Sequence, residues 1–554
     1  ISCDSGDPEG EEQQTFFRTS GKQILNREGQ PVVLRGVGLG GWLMPEGYML
    51  HTPGYGSPTS IRGQIEDLIG AANADRFFEI YRQQYVKKED IDRIAEWGFD
   101  HIRLPFHYKV LYDPDLGSFR EEGFDLFDRF IGWCKANGIY VILDMHAAPG
   151  GQNGGNISDS DGTARLWLEP ENQELTIEIW NEIARRYKNE PWIIGYDLIN
   201  EPVLPSGVTG TDFRRFMLRL SSSVRNIDPN HTLYIEGNWY ATDFSALTPA
   251  FDNNMVWAFH KYWNSTDAGT IGYLFQLRDE TNTPLWLGES GENSNDWFYE
   301  VTRMVEQNGI GWNWWTHKKI ETVTSPLSAP YADGYEDVLA YWRGQGPRPS
   351  ADAARQALFA MAENLSIDRC DYRPDVVAAL FSNTFASLPT PYRELSIPGT
   401  ISATDYDIGA QGVSYSDTQH KNESGSPGLA NNGGQYRNDG VDIERTDDIS
   451  GNGYNVGWID AGEWLRYTVD VAASGSYTVT FRVASASGGG RLAMRIDGVA
   501  VIQQLEVSAT GGWQSWNSVS VSGVALTAGR HELRIEVTAA GFNLNTVDFG
   551  LSGA

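Results

Sequence analysis

Short apolar runs alternate with amphipathic segments between Val32 and Lys318, and this rhythm predicts repeated strand–helix units. Eight runs have the length and the β-branched or aromatic content of buried strands, and they begin at Val32, Asp100, Tyr140, Ile193, Thr232, Met255, Pro284 and Gly309. The segments between them have helical periodicity, as at 74–97, 124–137 and 172–189, and one more helix is predicted at 351–364. The predicted fold is therefore α/β, a (β/α)8 TIM barrel.

The pattern changes after about residue 385. A proline-rich stretch without periodicity predicts a linker at 385–396, and the rest of the chain is Gly/Ser-rich with alternating strands and turn signals. This second pattern predicts an all-β jelly-roll sandwich at 397–554. Residues 1–15 are acidic and contain Gly and Pro, which predicts a flexible N-terminal arm, and the barrel domain is assigned to 16–384.

Composition and charge narrow the classes of partner. The chain has 554 residues, of which 40% are hydrophobic, so packed cores are expected. Lys and Arg number 43 against 73 Asp and Glu, and a net charge of −30 repels nucleic acid and anionic membrane surfaces. Neutral partners remain, and 19 Trp with 25 Tyr suit stacking on flat, neutral rings such as sugars.

The cysteines indicate neither a disulfide scaffold nor a metal site. Only three are present, and none has ligand spacing. Cys3 follows a small residue and precedes an acidic stretch, which resembles the end of a bacterial lipoprotein signal. The expected location is secreted or cell-surface, with an anchor through Cys3; the alternative for Cys3 is a free thiol. No apolar run is long enough for a transmembrane segment.

Polar residues stand at or near the end of every predicted strand, where a barrel of this kind places its active site. We expect these side chains to meet at one mouth, and two glutamates among them suggest an acid/base pair. They are Glu46, Arg103, His146, Asn200, Glu201, Asn238, Trp239, His260, Tyr262, Glu289, Trp314, Trp315 and His317.

The motifs on these strands resemble glycoside hydrolase family 5 from about Phe16 to Phe381. They are RLP at Arg103, His146, NEP at 200–202, HxY at 260–262, GES at 288–290 and the Trp residues of the eighth strand. The resemblance implies a retaining hydrolase with Glu201 as general acid/base and Glu289 as nucleophile. It implies no cofactor or metal for catalysis, and it assigns substrate binding to Arg103, His146, Asn200, His260, Tyr262 and Trp315, with Trp314 as the competing choice for the last.

The physical chemistry of these groups agrees with the implied roles. Arg103 and Tyr262 are expected to hold Glu289 ionised, because a positive charge and a hydrogen-bond donor both favour a carboxylate. Glu201 must instead keep its proton until it is delivered to the leaving group. Asn200 would bond the 2-hydroxyl of the sugar, an interaction that strengthens in the transition state.

Two loops indicate the mode of attack. Residues 36–47 and 145–156 look like the corresponding stretches of exo-acting β-1,3-glucanases of the family, in which the first loop's glutamate, here Glu46, bonds the terminal glucose. The expected activity is therefore release of glucose from β-1,3 or mixed β-1,3/1,4-glucans. The motif at 313–319 is also similar to endo-acting members, so an endo-β-1,4 or mixed-linkage glucanase stays as an alternative. Further subsites, or else core positions, are assigned to Trp42, Tyr48, Trp167, Trp239 and Trp263.

A non-catalytic glycan-binding protein is the alternative from another class. Both Glu201 and Glu289 are present with their supporting groups, and this argues against a barrel that has lost activity. We also consider that the segment 4–14 folds over a cleft and thereby sets specificity for the end of the polysaccharide chain.

The second domain resembles the carbohydrate-binding module of family 6, from about Ile397 to Gly550. The matching stretches lie at 405–418, 436–444, 454–471, 510–516 and 541–545. The resemblance implies a sugar held between two aromatic faces and read by an amide, and the corresponding positions are Trp458, Trp513, Asn543 and Asn545. Family members hold a structural calcium with an acidic segment, and its replacement by 402–405 (SATD) argues against the ion here.

Overall fold

The eight predicted strands form a closed parallel barrel in the computed structural model, which describes residues 15–552. Neighbours along the chain are neighbours in the barrel, and the eighth strand closes on the first. The predicted TIM barrel is thus confirmed. The N-terminal arm and Cys3 lie outside the described residues. The barrel strands are β1 (Arg35–Gly38), β2 (His101–His107), β3 (Tyr140–Ala147), β4 (Ile193–Asp197), β5 (Thr232–Glu236), β6 (Met255–Lys261), β7 (Leu285–Gly291) and β8 (Gly311–Trp315).

Helices surround the barrel and bury the strands on both sides, which is why the strands are near-continuous apolar runs. The helix expected at 74–97 is two helices, separated at Val86 and Lys87, where Asp90 accepts the Lys87 N–H at 2.8 Å and caps the second one. No helix within 15–552 is both long and apolar enough to cross a membrane. The helices are Gly47–Leu50, Pro58–Ile69, Ala71–Tyr85, Lys88–Trp97, Glu121–Ala136, Pro170–Tyr187, Gly210–Ile227, Asn238–Ala241, Gly272–Thr281, Asn295–Gln307, Tyr335–Trp342, Ala351–Asn364 and Pro374–Phe381.

Short two-residue to four-residue elements decorate the barrel. The strands Arg18–Ser20 and Gln23–Leu25 form an antiparallel hairpin below it. The other short strands are Tyr112–Asp113, Ser118–Phe119, Lys318–Ile320, Leu327–Ala329 and Asp371–Tyr372. Single 3-10 turns are found at Tyr108–Val110, Asn156–Ser158, Ala268–Ile271 and Ile367–Arg369.

Two mainly antiparallel sheets face each other in the second domain, and their inward side chains form a separate apolar core. This confirms the predicted β-sandwich. One sheet has the order Leu395–Ile397, Trp464–Val471, Gly529–Ala539, Gly490–Ile496 and Val499–Val507, with Tyr415–Ser416 also paired to Trp464–Val471. The other has the order Ile443–Arg445, Tyr454–Val456, Asn543–Leu551, Gly475–Ser485 and Gly512–Leu526, with Gly399–Ser402 paired to Asn543–Leu551.

The sandwich is docked on the barrel through a buried polar network. Asn295, at the start of the helix after β7, donates its backbone N–H to Asn438 at 2.7 Å and its amide to Asp375 at 2.8 Å. The next residue, Asp296, accepts bonds from the Gln411 backbone and from the Tyr415 hydroxyl. Burial raises the pKa of Asp296 to about 6. Buried polar groups of each domain therefore find hydrogen-bond partners in the other domain.

The segment predicted as a linker has contacts with both domains, although most of its residues are exposed. The last barrel helix ends at Phe381 and the first sandwich strand begins at Leu395, so residues 395 and 396 already belong to the sandwich sheet. Phe385 is buried, and Thr390 pairs with Ile408 of the sandwich. The segment can make these contacts because the two domains touch each other. Its composition alone did not reveal that the domains touch.

Candidate active site

The carboxyl ends of the barrel strands open into a cavity of about 760 Å³ that contains both predicted catalytic glutamates. Glu201 lies just beyond β4, and Glu289 lies within β7. One carboxylate oxygen of each and a ring nitrogen of His260 lie within 4.8 Å of one another. The fold therefore brings together two acids that are far apart in the sequence.

Glu289 is held by two hydrogen-bond donors, one on each oxygen of its carboxylate. Arg103 Nη1 donates to Oε1 at 2.5 Å, and the Tyr262 hydroxyl donates to Oε2 at 3.1 Å. Burial raises the pKa of Glu289 above its ordinary value, against the opposing charges of His260 and Arg103. The expectation from sequence considered only the neighbouring donors, and it missed this desolvation.

Glu201 is positioned by its backbone as well as by its side chain. Its φ of 47° is in the left-handed region, and its N–H donates to Glu236 Oε2 at 2.6 Å. The carboxylate lies 2.7 Å from His260 Nδ1. Burial disfavours charge on His260, but Glu236 and Glu289 outweigh it and raise the pKa of His260 well above its ordinary value. His260 thus lies between the two acids, with Nδ1 2.7 Å from Glu201 and 3.6 Å from Glu289.

Arg103 is fully buried and is the centre of an acidic cluster that the sequence analysis did not single out. Its guanidinium lies within 3.1 Å of oxygens of four carboxylates: Asp144, Asp197, Glu236 and Glu289. Three of these acids stand at the ends of apolar runs in β3, β4 and β5. The sequence signal that could have revealed this cluster is an acid within a buried strand, because a buried acid needs a partner.

The acids of this cluster differ in pKa. Burial opposes ionisation of Glu236, but His260 and Arg103 outweigh it and lower the pKa of Glu236 to about 2. Burial raises the pKa of Asp144 to about 8, with Arg103 acting in the opposite direction. Glu236 therefore takes up a proton less readily than Asp144, because His260 and Arg103 together favour its carboxylate.

Glu201, His260 and Glu289 are the one group of acids and histidines within residues 15–552 with the spacing of metal ligands. In this structure they are bonded to other side chains: His260 lies 2.7 Å from Glu201, and Arg103 donates to Glu289 at 2.5 Å.

One part of the cavity wall comes from β3, from β8 and from the segment that follows β1. The His146 ring stacks on Trp315, with centroids 5.2 Å apart and planes 9° from parallel. Trp315 Nε1 donates to the Tyr48 hydroxyl at 2.7 Å, and His146 Nε2 lies 3.9 Å from Glu46 Oε1. Burial lowers the pKa of His146 to about 4, so its ring is neutral.

Two buried polar atoms of the site have no partner among the described residues. They are Asn200 Nδ2 and Glu46 Oε1, a donor and an acceptor. Burial, and then the charges of Glu289 and Glu201, raise the pKa of Glu46 well above its ordinary value. Since a buried polar atom without a partner costs free energy, these atoms are suited to the hydroxyl groups of a bound ligand.

The aromatic candidates separate into two groups. Tyr48, Trp239 and Trp263 line the cavity, whereas Trp42 and Trp167 are buried in the barrel's outer core. Their positions depend on how each loop packs, which periodicity does not reveal.

Two of the residues expected at the mouth lie elsewhere. Trp314 packs edge-on against Phe298 at 4.7 Å, in the core outside β8, while Trp315 lines the cavity. His317 is fully buried away from the cleft, and burial together with Lys318 lowers its pKa well below the ordinary value. Successive strand residues point to opposite faces, so Trp314 and Trp315 could not both face the cleft.

The sandwich has its own cavity, of about 490 Å³, between Trp458 and Trp513. These side chains are 51% and 50% exposed, as a pair that contacts a ligand requires. Asn543 and Asn545 do not line it: Asn543 is bonded to the Trp513 carbonyl at 2.9 Å, and Asn545 is buried against Asp448. Polar lining comes instead from Gln419, Asn432 and Asp442.

The residues at 402–405 do not fit a calcium ion. Asp405 is the only acid among them, and its carboxylate accepts the Tyr436 hydroxyl at 2.5 Å and the Asn452 amide at 3.2 Å. Arg393 lies 3.3 Å from the same oxygen. Calcium needs several free oxygens, and this carboxylate is already engaged.

Comparison with known proteins assigns both domains. Residues 60–320 match the family model Cellulase (glycosyl hydrolase family 5), and residues 432–550 match Carbohydrate binding module (family 6). The barrel is a family 5 glycosyl hydrolase domain. The sandwich is a family 6 carbohydrate-binding module. Both resemblances found in the sequence are confirmed.

Curated relatives of the family 5 domain carry different names. A beta-xylosidase of Phanerodontia chrysosporium is 35% identical, over 45% of this chain and 52% of the relative. Endoglucanase C of Acetivibrio thermocellus is 36% identical, over 32% and 50%. A probable glucan 1,3-beta-glucosidase A of Aspergillus niger is 27% identical, over 37% and 49%. The chain spans about half the length of the curated relatives it matches.

Proposed function

We propose that this protein is a retaining β-glucan hydrolase that releases glucose from the ends of β-1,3 or mixed β-1,3/1,4 chains. The observation that carries the proposal is the pair of carboxylates, Glu201 and Glu289, with oxygens within 4.8 Å of each other at the base of one cavity. Retaining glycosidases need carboxyl groups about 5 to 5.5 Å apart, close enough for direct attack on the anomeric carbon.

In the first step the Glu289 carboxylate attacks the anomeric carbon and the bond to the leaving oxygen breaks. Glu201 delivers its proton to that oxygen, so the leaving sugar departs as a neutral alcohol and a glycosyl-enzyme remains. Arg103 and Tyr262 fix the direction of Glu289 through bonds to its two different oxygens. The charges of His260 and Arg103 act against the effect of burial on the pKa of Glu289 and favour its carboxylate.

In the second step a water molecule takes the place of the departed sugar. Glu201, now a carboxylate, removes a proton from this water, and the oxygen attacks the anomeric carbon as Glu289 leaves. The two inversions restore the original β configuration. His260, 2.7 Å from Glu201, stabilises the carboxylate that exists between the steps.

End-on attack is supported by the part of the cavity wall that contains Glu46. Glu46, His146 and Trp315 line one part of the cavity, and the unpartnered Glu46 Oε1 is placed to accept from a terminal hydroxyl. A terminal residue offers hydroxyls where an internal one has a further glycosidic bond, so a buried acceptor selects the chain end.

The module supplies the second part of the proposal. Trp458 and Trp513 would hold a glucan chain between their faces and keep the enzyme on the polymer, which raises its local concentration without changing the chemical step. We also propose that the protein acts outside the cell, where such polymers are found.

The test is parallel digestion of laminarin, lichenan and cellulose, with products and anomeric configuration followed over time. We expect glucose as the first product from laminarin, released as the β-anomer. Early α-glucose would exclude the retaining mechanism. Absence of hydrolysis of all three and of aryl β-glycosides would favour a non-catalytic glycan-binding protein.

An endoglucanase is the second candidate, supported by the similarity to an endoglucanase at 36% identity. It would release a ladder of oligosaccharides from lichenan or cellulose before any glucose. The relative named beta-xylosidase adds a sugar to the test, because xylose differs from glucose only in lacking the C6 hydroxymethyl group. Comparing aryl β-xyloside with aryl β-glucoside decides between these sugars.

A further inference from the structure

A segment of the sandwich reaches into the barrel's active-site cavity. The chain between Tyr415–Ser416 and Ile443–Arg445 forms no strand, and within it we call residues 422–429 the cleft loop. Gly425, Pro427, Gly428 and Leu429 of this loop line the same cavity as Glu201 and Glu289. The module thus contributes to the wall of a cavity whose acids all come from the barrel.

The cleft loop is anchored directly behind the nucleophile's strand. Asn293, two residues beyond β7, accepts the Asn422 N–H at 3.0 Å and donates its amide to the Asn422 carbonyl at 2.8 Å. Both residues are buried. This reciprocal pair fixes the base of the loop to the element that carries Glu289.

The loop's shape is set by the side chain of the same residue. Asn422 Nδ2 donates to the carbonyls of Ser426 at 3.0 Å and Gly428 at 2.8 Å, and its Oδ1 accepts the Ser424 N–H at 3.1 Å. One amide therefore braces both arms of the loop, so the wall is preorganised.

The loop's tip is joined to the residues that support catalysis. Gly425 donates its N–H to the Trp263 carbonyl at 2.7 Å. The Trp263 ring stacks on Tyr262, with centroids 5.0 Å apart, and Tyr262 donates to Glu289. Three contacts, through Trp263 and Tyr262, therefore connect the module's loop to the proposed nucleophile.

The side of the cavity on which a leaving sugar sits follows from the proposed acid. Glu201 must reach the leaving oxygen, so the leaving group lies on the Glu201 side of the cavity. Trp239 and Tyr240 belong to this side, since Tyr240 donates its N–H to the carbonyl of Pro202, next to Glu201. Leu429, 44% exposed, and Pro427 add an apolar surface to the same cavity.

We propose that the cleft loop is a wall of the subsite that holds the leaving sugar, with Leu429 and Pro427 covering an apolar face of the ring. The inference rests on the proposed function and goes beyond it. The module would then act on small soluble substrates as part of the active site, and not only as a tether for polymers.

The experiment compares two soluble substrates that differ only in their leaving group. Laminaritriose has a disaccharide leaving group, whereas β-glucosyl fluoride loses a fluoride ion that needs no sugar subsite. For Leu429→Ser we expect kcat/KM for laminaritriose to fall about three- to tenfold relative to that for the fluoride, because a sugar ring would cover only the exposed part of this side chain and so gain less than full burial of a leucine gives. Asn422→Ala, which frees the loop, is expected to lower the same ratio further.

Ile449→Ser is the matched control, because Ile449 is a fully exposed branched residue of the same module and lines neither sugar-facing cavity. Its ratio should match that of the unchanged protein. An unchanged ratio in both loop variants, with folding verified by thermal unfolding, would overturn the proposal. So would an equal fall on both substrates. If the unchanged protein hydrolyses neither substrate, the proposed function itself fails, which is a different result.

Discussion

The two sugar-facing cavities of this protein are built in opposite ways. The barrel cleft encloses Arg103, His260 and at least four acids that are buried and bonded to one another. The module's cavity lies between two half-exposed tryptophans, and its wall also contains three acids, Asp417, Asp442 and Asp460. The first cavity is a set of preorganised charges, whereas the second combines two apolar faces with polar side chains around them.

The difference reflects what each cavity is proposed to do. Bond cleavage needs charge placed in advance where the transition state develops it, and that charge must be kept from water. Holding a sugar needs contact area, and exposed rings supply it at little cost in desolvation. Substitutions in the cleft should therefore act mainly on kcat, and those in the module mainly on polymer retention.

The largest effect is expected for Glu289→Gln. The variant keeps the side chain's shape but removes the nucleophile, so hydrolysis should fall by roughly 10⁴-fold or more. Rates of glucose release from laminaritriose measure this loss, and a pull-down on insoluble β-glucan measures binding, which should persist. Turnover near that of the unchanged protein would break the proposed contrast between the two cavities.

A smaller effect is expected for Glu236→Gln, which tests the buried charges beneath the acids. Glu236 raises the pKa of His260, so the variant should lower that pKa. His260 would then lose its proton at lower pH, and the alkaline limb of the kcat/KM profile should move toward lower pH. The free energy of unfolding should also fall, by about 3 to 5 kcal/mol, because a buried charge network is broken.

Tyr234→Phe is the control for that profile. Tyr234 lies on β5 two residues before Glu236, and its buried hydroxyl has no partner among the described residues. It should leave the alkaline limb in place. A limb that stays fixed in Glu236→Gln as well would show that the effect of Glu236 is structural only.

The smallest effect is expected for Trp458→Ala and Trp513→Ala. Losing one aromatic face should weaken retention on insoluble β-glucan by about three- to tenfold, which corresponds to stacking worth roughly 0.5 to 1.5 kcal/mol. Affinity electrophoresis in a gel containing β-glucan measures this change. Retention that is unaffected by both substitutions would place the module's binding surface elsewhere.

Most of the architecture was predictable because it depends on local patterns. Each barrel strand is an apolar run of limited length, and the helix at 351–364 has the bounds that its periodicity predicts. The NEP and GES motifs also identified both acids without any coordinates. The sequence pattern did not predict the direction of the Trp314 and His317 side chains, because packing decides it. Both residues lie beside predicted site residues in the chain, and both side chains are buried away from the cleft.

By itself the sequence determined the two domains, their folds and the identity of the two central acids, because these follow from hydrophobic periodicity and short motifs. Only the tertiary structure decided that Glu236 supports His260 and that Asn422 of the module is bonded to Asn293 of the barrel. Such contacts join residues that are distant in the chain. Their energies depend on distance and burial, which a linear pattern of polar and apolar positions does not contain.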